Sequence, residues 1–467
     1  MRILLVKAKE RTDSIQPPLG LGFLAAAVHA PHDVGILDCI RLGLGTSGLV
    51  EAVKAFRADV VGVQMGTFGS QVAGDCLRAV RAALPDVWLI VGGPHPSVCP
   101  VETMDLLGPA IDFAFQGEAE NGLPMLLDAL EGRGGARSAP AIDGFAAIPG
   151  LVWRDPAGHV TANPRCVTDL QTAAMPRWDL LDPRTYPASP HGAFYREAPV
   201  APVSASRGCP YSCSFCAGSL IHGRTVRYRP VAQVLDEIRR LHDEFGVREI
   251  AFVDDNLTWD VSYVHALCDG LLSLPFRIHW CLPNGVRLDR LDRALLRHMR
   301  QAGCYSVAIG IESGVARVLG NLRKGLTIDG VRRQIALLAE EGIETRGFFV
   351  LGFPGETRDE ILATTRLALD LPLDFAHFML FHPLPGTASW DEVAAEGRMD
   401  TVDWNAATFA EVAYSPASLA PGELKALHRS AFFRFYLRPS RMVRLLAQVR
   451  SRDHALQIAR RVVRWLR

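Results

Sequence analysis

Short apolar runs alternate with amphipathic stretches over residues 1 to about 125, and again over 201 to about 390. That alternation constrains the fold more than any other feature, because parallel strands buried on both faces need a crossover helix between them. In the first stretch, strands are expected at 3–6, 34–37, 60–63, 88–91 and 113–115, with helices at 21–28, 49–56 and 71–83. Units of this spacing predict a flavodoxin-like, doubly wound parallel sheet. In the second stretch, strands are expected at 203–206, 248–253, 277–281, 305–311, 345–351 and 376–381. The helix at 231–245 has Pro230 at its start, where a missing N–H costs nothing. Six such units predict a partial (β/α)6 barrel of TIM type. The fold class is therefore α/β. The expected organisation is a sheet domain over 1–130, a connection over 131–200, a barrel over 201–390 and a helical extension over 391–467.

Between the two stretches the periodicity weakens, and Gly132, Gly134, Gly135, Pro140, Pro149 and Pro156 interrupt it. Residues 151–160 read as a small hairpin turning at 156–158. Fifty basic and fifty acidic residues balance, so no global field favours nucleic acid. The apolar run that opens the chain ends at Lys7, which suits a buried strand and not a signal peptide. No run approaches the ~18 apolar residues of a membrane span. Cysteines 39, 76, 99, 166, 268, 281 and 304 stand alone, and Cys268, Cys281 and Cys304 read as core thiols. This usage suits a reducing cytoplasm.

In both architectures ligands bind at the carboxyl ends of the strands. The relevant loops of the first stretch are Met65-Gly66-Thr67-Phe68-Gly69-Ser70, Gly92-Gly93-Pro94-His95 and Gln116-Gly117-Glu118. Gly20-Leu21-Gly22-Phe23-Leu24-Ala25 matches a dinucleotide fingerprint, but a long polar loop separates it from the first strand. Its glycines therefore read as helix packing, which disfavours a nicotinamide oxidoreductase. In the barrel the loops are Asp254-Asp255-Asn256, Glu312-Ser313, Gly352-Phe353-Pro354-Gly355-Glu356 and His382-Pro383-Leu384-Pro385-Gly386.

After the first barrel strand come Cys209, Cys213 and Cys216, at C-x3-C-x2-C spacing. Three thiolates on one loop can hold one metal centre and leave a coordination position open. A closed structural zinc site would need a fourth ligand, and His222 is the nearest candidate. Beyond residue 420 the chain is helical and basic. Arg429, Arg434, Arg438, Arg441, Arg444, Arg450, Arg452, Arg460, Arg461, Arg464 and Arg467 face only Glu423 and Asp453 as acids. That tail reads as the solvated face of a packed helix, or as a peripheral contact with an anionic membrane or an acidic substrate.

The cysteine loop, with Phe215 before the third cysteine, resembles the radical S-adenosylmethionine (SAM) superfamily. The segments Ile250-Ala251-Phe252-Val253-Asp254-Asp255-Asn256, Ala308-Ile309-Gly310-Ile311-Glu312-Ser313 and Phe348-Phe349-Val350-Leu351-Gly352-Phe353-Pro354-Gly355-Glu356-Thr357 look like its second, fourth and fifth strands. The resemblance implies a 4Fe-4S cluster on Cys209, Cys213 and Cys216, with SAM on the fourth iron. It places Asp254, Asp255 and Asn256 near the methionine end of SAM, Glu312 and Ser313 near its ribose, and Gly352 and Pro354 near adenine. Residues 254–256 depart from the Gly-Gly-Glu of many members.

Pro17-Pro18-Leu19-Gly20-Leu21-Gly22, Gly92-Gly93-Pro94-His95-Pro96, Gly117-Glu118-Ala119-Glu120 and Ile148-Pro149-Gly150-Leu151-Val152-Trp153 resemble the cobalamin-binding domain that precedes the barrel in one subgroup. Gly66, Thr67, Gly92, Gly93, His95, Gly117 and Glu118 are then the cobalamin contacts. Lys7-Ala8-Lys9-Glu10-Arg11 replaces the D-x-H-x-x-G after strand one, so cobalamin would be His-off. The implied activity is methylation of an unactivated carbon of a small molecule, such as a secondary metabolite or lipid-like compound. It would proceed through a 5′-deoxyadenosyl radical and methylcobalamin, with reduced flavodoxin or ferredoxin as electron donor. A radical SAM cyclase or oxidase without methyl transfer, or a non-catalytic cobalamin or iron–sulfur sensor, would share the same motifs.

Overall fold

Strand β1 (Arg2–Lys7) has a four-residue buried run, Ile3 to Val6, whose side chains alternate between two cores. Leu4 and Val6 join one and Ile3 and Leu5 the other, as the two-residue period of a strand requires. β1 pairs in parallel with β2 (Asp33–Asp38) and β3 (Val60–Gln64), and β4 (Trp88–Gly92) and β5 (Phe113–Phe115) follow. The strand order β2-β1-β3-β4-β5 is the flavodoxin-like arrangement expected. The expected hairpin forms as β6 (Leu151–Arg154) and β7 (Val160–Ala162), which extend the same sheet in antiparallel sense. Its turn residue Pro156 lies outside the described residues. Lys7, Gln64 and Gly92 are cross-strand neighbours, so the loops after β1, β3 and β4 leave along one edge.

The computed structural model describes residues 1–10, 15–132, 144–155, 157–188, 195–404, 406, 408–439, 441–443, 449 and 455. It contains two compact units, Met1–Asp182 with Ala217–Gly223, and Pro183–Cys216 with Arg224–Arg467.

In the second unit β8 (Val200–Val203) leads to a two-residue strand β9 (Ser206–Arg207), paired antiparallel with β10 (Arg227–Tyr228). β8, β11 (Glu249–Phe252), β12 (His279–Val286), β13 (Cys304–Glu312), β14 (Glu344–Leu351) and β15 (Phe375–Leu380) form a six-stranded parallel sheet in chain order. This is the (β/α)6 partial barrel. The first strand ends three residues earlier than its apolar pattern suggests. The cause is Asp254, whose Oδ1 accepts from the N–H groups of Ala205 and Ser206 and turns them out of the sheet. β12 continues past its expected end with a register shift between Leu282 and Val286, where Pro283 has no N–H to give.

The helix Val231–Phe245 carries Glu237, fully buried, against the equally buried Arg229 at 2.5 Å. Arg229 also donates to the Ser204 carbonyl (2.9 Å), so this pair props up the entry to the cysteine loop. The helix Pro421–Tyr436 packs on β15, where the Tyr436 hydroxyl donates to the Ala376 carbonyl (2.9 Å). Arg438 donates to the Leu369 carbonyl (2.7 Å). Of the basic tail, Arg444, Arg450, Arg452, Asp453, Arg460, Arg461, Arg464 and Arg467 lie outside the described residues. Among the described residues no helix is long and apolar enough to cross a membrane.

Candidate active site

The loop carrying the three cysteines is held by its neighbours on both sides. Ser214 N–H donates to the Leu322 carbonyl (3.1 Å), and Ser389 N–H donates to the Ser214 carbonyl (2.8 Å). Phe215 meets Phe353 edge to face at 5.6 Å, so the loops after β9 and β14 share one aromatic contact. Gly208 adopts φ +98° and donates its N–H to Asp255 Oδ2 at 3.3 Å. Burial pushes the thiols of Cys209 and Cys213 up. Cys216 acts on Cys209 in the same direction, and Cys209 on Cys213.

Two cations act in the opposite direction. Arg287 lies over the Tyr211 ring at 3.8 Å, donates to Asp289 and also to the Lys324 carbonyl. Lys324 donates to the Gly310 carbonyl (2.6 Å) and pairs with Glu312. Glu312 is buried and sits at φ +68°, a left-handed conformation that costs a non-glycine residue energy and marks a constrained site. Neither Arg287 nor Lys324 was among the expected site residues. The available signals were slight: Arg287 follows Gly285 at the end of the third barrel strand, and Lys324 lies within Arg323-Lys324-Gly325.

The remaining expected residues divide by what occupies their polar atoms. Asn256 is buried with both amide atoms unpaired, and Asp254 Oδ2 and Glu356 Oε1 are unpaired too. Buried polar atoms normally find partners, so these atoms are suited to a polar ligand. Asp255 is exposed, its carboxylate toward Gly208. Asp254 Oδ1 is committed to Ala205 and Ser206, and Ser313 Oγ to Thr364 Oγ1 (3.1 Å) and Val315 N–H (3.2 Å). Ser313 therefore shapes the site from behind, and Asp254 does so through Oδ1 alone. Gly352, at φ +87°, donates its N–H to Glu356 Oε2 (2.6 Å), and a Cβ there would lie 2.8 Å from Leu424. Pro354 follows in the same turn.

Burial lifts the Glu356 carboxyl from an ordinary 4.5 to about 7. The folded value lies above the unfolded one, so its stabilising contribution is complete below about pH 4.5 and is lost as pH rises to about 7. Glu356→Gln keeps an oxygen toward Gly352 and Phe353 but cannot titrate. Denaturation between about pH 5 and pH 7 should show wild type losing up to about 1.4 kcal/mol per pH unit relative to the variant. Parallel profiles would refute this.

In the first unit, Gly66 and Thr67 follow β3, and Gly92 ends β4. Met65 N–H donates to the Gly92 carbonyl (2.8 Å), and His95 N–H to the Met65 carbonyl (3.1 Å). Thr67 Oγ1 and His95 Nδ1 lie 3.3 Å apart, and burial holds the imidazole below its usual pKa. Gly93 has φ +107°, and a Cβ would fall 3.1 Å from the Met65 carbonyl oxygen. Gly93→Ala should therefore cost about 1–3 kcal/mol in denaturation. An unchanged variant would show that the loop has room to spare.

Ser97, missed in the sequence, is fully buried. Its Oγ donates to the Gly93 carbonyl (2.7 Å) and accepts from Gly117 N–H (2.9 Å). Glu118 is buried, with Oε2 accepting from Thr168 N–H (2.8 Å) and Oε1 3.4 Å from His222 Nδ1. His222 is thus turned toward Glu118. Gly22 packs on Leu181 and Pro176, with a built Cβ only 2.7 Å from Leu181.

The radical SAM superfamily model matches residues 203–368, and the B12 binding domain model matches residues 8–127. An uncharacterized methyltransferase of Pyrococcus horikoshii is 30% identical over 452 residues, 95% of this chain and 94% of that protein. The chain belongs to the cobalamin-dependent radical SAM family. A cytidylyl-2-hydroxyethylphosphonate methyltransferase of Streptomyces wedmorensis is 28% identical over 439 residues, 82% of this chain and 79% of that one. The structure of the cobalamin-dependent SAM radical enzyme OxsB with aqua-cobalamin and SAM bound has a TM-score of 0.74. It is 16% identical, covering 98% of this chain and 70% of that chain, a likeness of fold.

A radical SAM enzyme of this family uses a 4Fe-4S cluster, SAM and cobalamin, and the residues present suit all three. Among the described residues no three His, Cys, Asp or Glu side chains converge on a single-ion site. Three thiols along one loop, Cys209, Cys213 and Cys216, are a donor set that suits an iron–sulfur group. The unpaired Asn256 amide suits a polar cosubstrate. The loops after β3, β4 and β5 present backbone and small side chains, and Gln64 Oε1 is buried there without a partner. β1 ends at Lys7 and is followed by Ala8, Lys9 and Glu10, none of which is a histidine; Arg11 lies outside the described residues.

Proposed function

We propose that this radical SAM enzyme methylates an unactivated carbon of a small molecule. The observation that carries the reading is the three-thiol loop with Arg287 over Tyr211 and Lys324 on the Gly310 carbonyl, together with the unpaired amide of Asn256 on the loop after β11. Cys209, Cys213 and Cys216 would hold the cluster. Asp255 and Asn256 would orient the methionine end of SAM, Glu312 its ribose, and the turn at Gly352 and Pro354 its adenine, with Asp254 and Ser313 fixing the loops behind them. Gly66, Thr67, Gly92, Gly93, His95, Gly117 and Glu118 would line the cobalamin. When bound, these groups supply reductive cleavage of SAM to a hydrogen-abstracting radical and a transferable methyl group. The chain's own part is to bind and orient them, to keep water from the reacting centre, and to balance thiolate charge with Arg287 and Lys324. A reduced flavodoxin or ferredoxin in the cytoplasm fits as electron donor.

Anaerobically reconstituted protein supplied with SAM, cobalamin and a reductant should form both S-adenosylhomocysteine and 5′-deoxyadenosine. Deoxyadenosine alone would overturn methyl transfer in favour of cyclisation or oxidation. Formation of neither product would favour a sensor.

A further inference from the structure

The polypeptide leaving Cys216 enters a short helix, Gly218–His222, that belongs to the first compact unit. Two side chains hold it there. Arg165 donates to the Leu220 carbonyl on that helix, to the Ser97 carbonyl, and to Gln116 Oε1 at 3.2 Å. Its aliphatic stem lies against Gly117, 3.6 Å from where a Cβ would stand. Ser97 in turn joins the Gly93 carbonyl to the Gly117 N–H. His222 adds a second tie, to the buried carboxylate of Glu118.

We infer that Arg165 is a positioning residue that fastens the segment after Cys216 to the 93–97 and 116–118 loops, so that cobalamin binding on those loops orders the chain leaving the cluster cysteines. The inference rests on the proposed assignment of those loops to cobalamin. The physical basis is the geometry of a planar guanidinium, which spans three acceptors on separate segments with one rigid group. Ordering the backbone at Ser97 and Gln116 lowers the freedom of Leu220 through that same group. A lysine offers one compact ammonium and would hold fewer of the acceptors at once.

The test is hydrogen–deuterium exchange of the full chain with and without hydroxocobalamin, with corrin retention measured in parallel. In wild type, hydroxocobalamin should slow exchange at 217–223 roughly tenfold, the scale expected when charge-assisted hydrogen bonds gate local opening. In Arg165→Ala that protection should vanish while the core strands β1–β5 stay protected, and Arg165→Lys should recover part of it. If Arg165→Ala fails to fold, Arg165→Lys carries the comparison alone and must show reduced protection. Retained cobalamin without slowed exchange at 217–223, or full protection in both variants, overturns the coupling alone. Absence of any cobalamin retention overturns the loop assignment and the coupling with it.

Discussion

Cys213→Ala should abolish reductive cleavage of SAM, lowering deoxyadenosine formation roughly a thousandfold or more, because it removes one of the three thiolates proposed to hold the cluster. His222 faces Glu118. Cys281 and Cys304 are buried within β12 and β13, where desolvation raises both thiols far above the range in which they would ionise. Cys213 is the informative choice among the three, since both Arg287 and Lys324 favour its thiolate. The variant should lose iron, sulfide and cluster absorbance together while retaining its far-ultraviolet circular dichroism and its cobalamin. A variant that kept its cluster and cleaved SAM would remove Cys213 from the ligand set.

Glu237→Ala should destabilise the second unit by about 3–5 kcal/mol, the scale for leaving a buried charge without its partner. Arg229 and Glu237 are both almost completely buried, so the remaining guanidinium would have little water to turn to. The damage should also reach the site. Arg229 holds the Ser204 carbonyl just before the residues that Asp254 captures, and these set the path of the chain into Cys209. Equilibrium denaturation of the cofactor-free protein measures the first effect, and iron retained after reconstitution measures the second. Glu237→Gln, which keeps an acceptor near the shape of the original, should lose less than alanine. A loss below about 1 kcal/mol would place the pair among weak surface bridges and refute its role as a strut.

The strands were legible because a strand buried on both faces must be continuously apolar, and these runs are bounded by polar or glycine-rich turns. β1 to β5 lie within a residue or two of their expected positions. Errors arose where polar groups take backbone N–H groups away from a ladder, as Asp254 does at Ala205 and Ser206. The cysteine loop was legible because its spacing is local. Arg287 and Lys324 were not. Arg287 follows β12, and Lys324 follows β13 and a short helix, Ala316–Asn321; their contacts beside Tyr211 depend on barrel closure. The sequence likewise could not distinguish Asn256 and Asp254 Oδ2, which are unpaired, from Asp254 Oδ1 and Ser313 Oγ, whose hydrogen bonds hold neighbouring loops.

The sequence by itself determined two rounds of strand and helix, a three-thiol loop on the first barrel strand, and glycine-bearing loops after the strands of the sheet. Those are matters of period, spacing and backbone freedom, all carried by neighbours along the chain. Only the tertiary structure decided which side chains meet through space. It placed two cations beside the thiols, turned His222 to Glu118, and fastened the helix after Cys216 through Arg165. Hydrogen bonds and charge pairs act over a few ångströms, so their partners exist only once distant segments have been brought within that range.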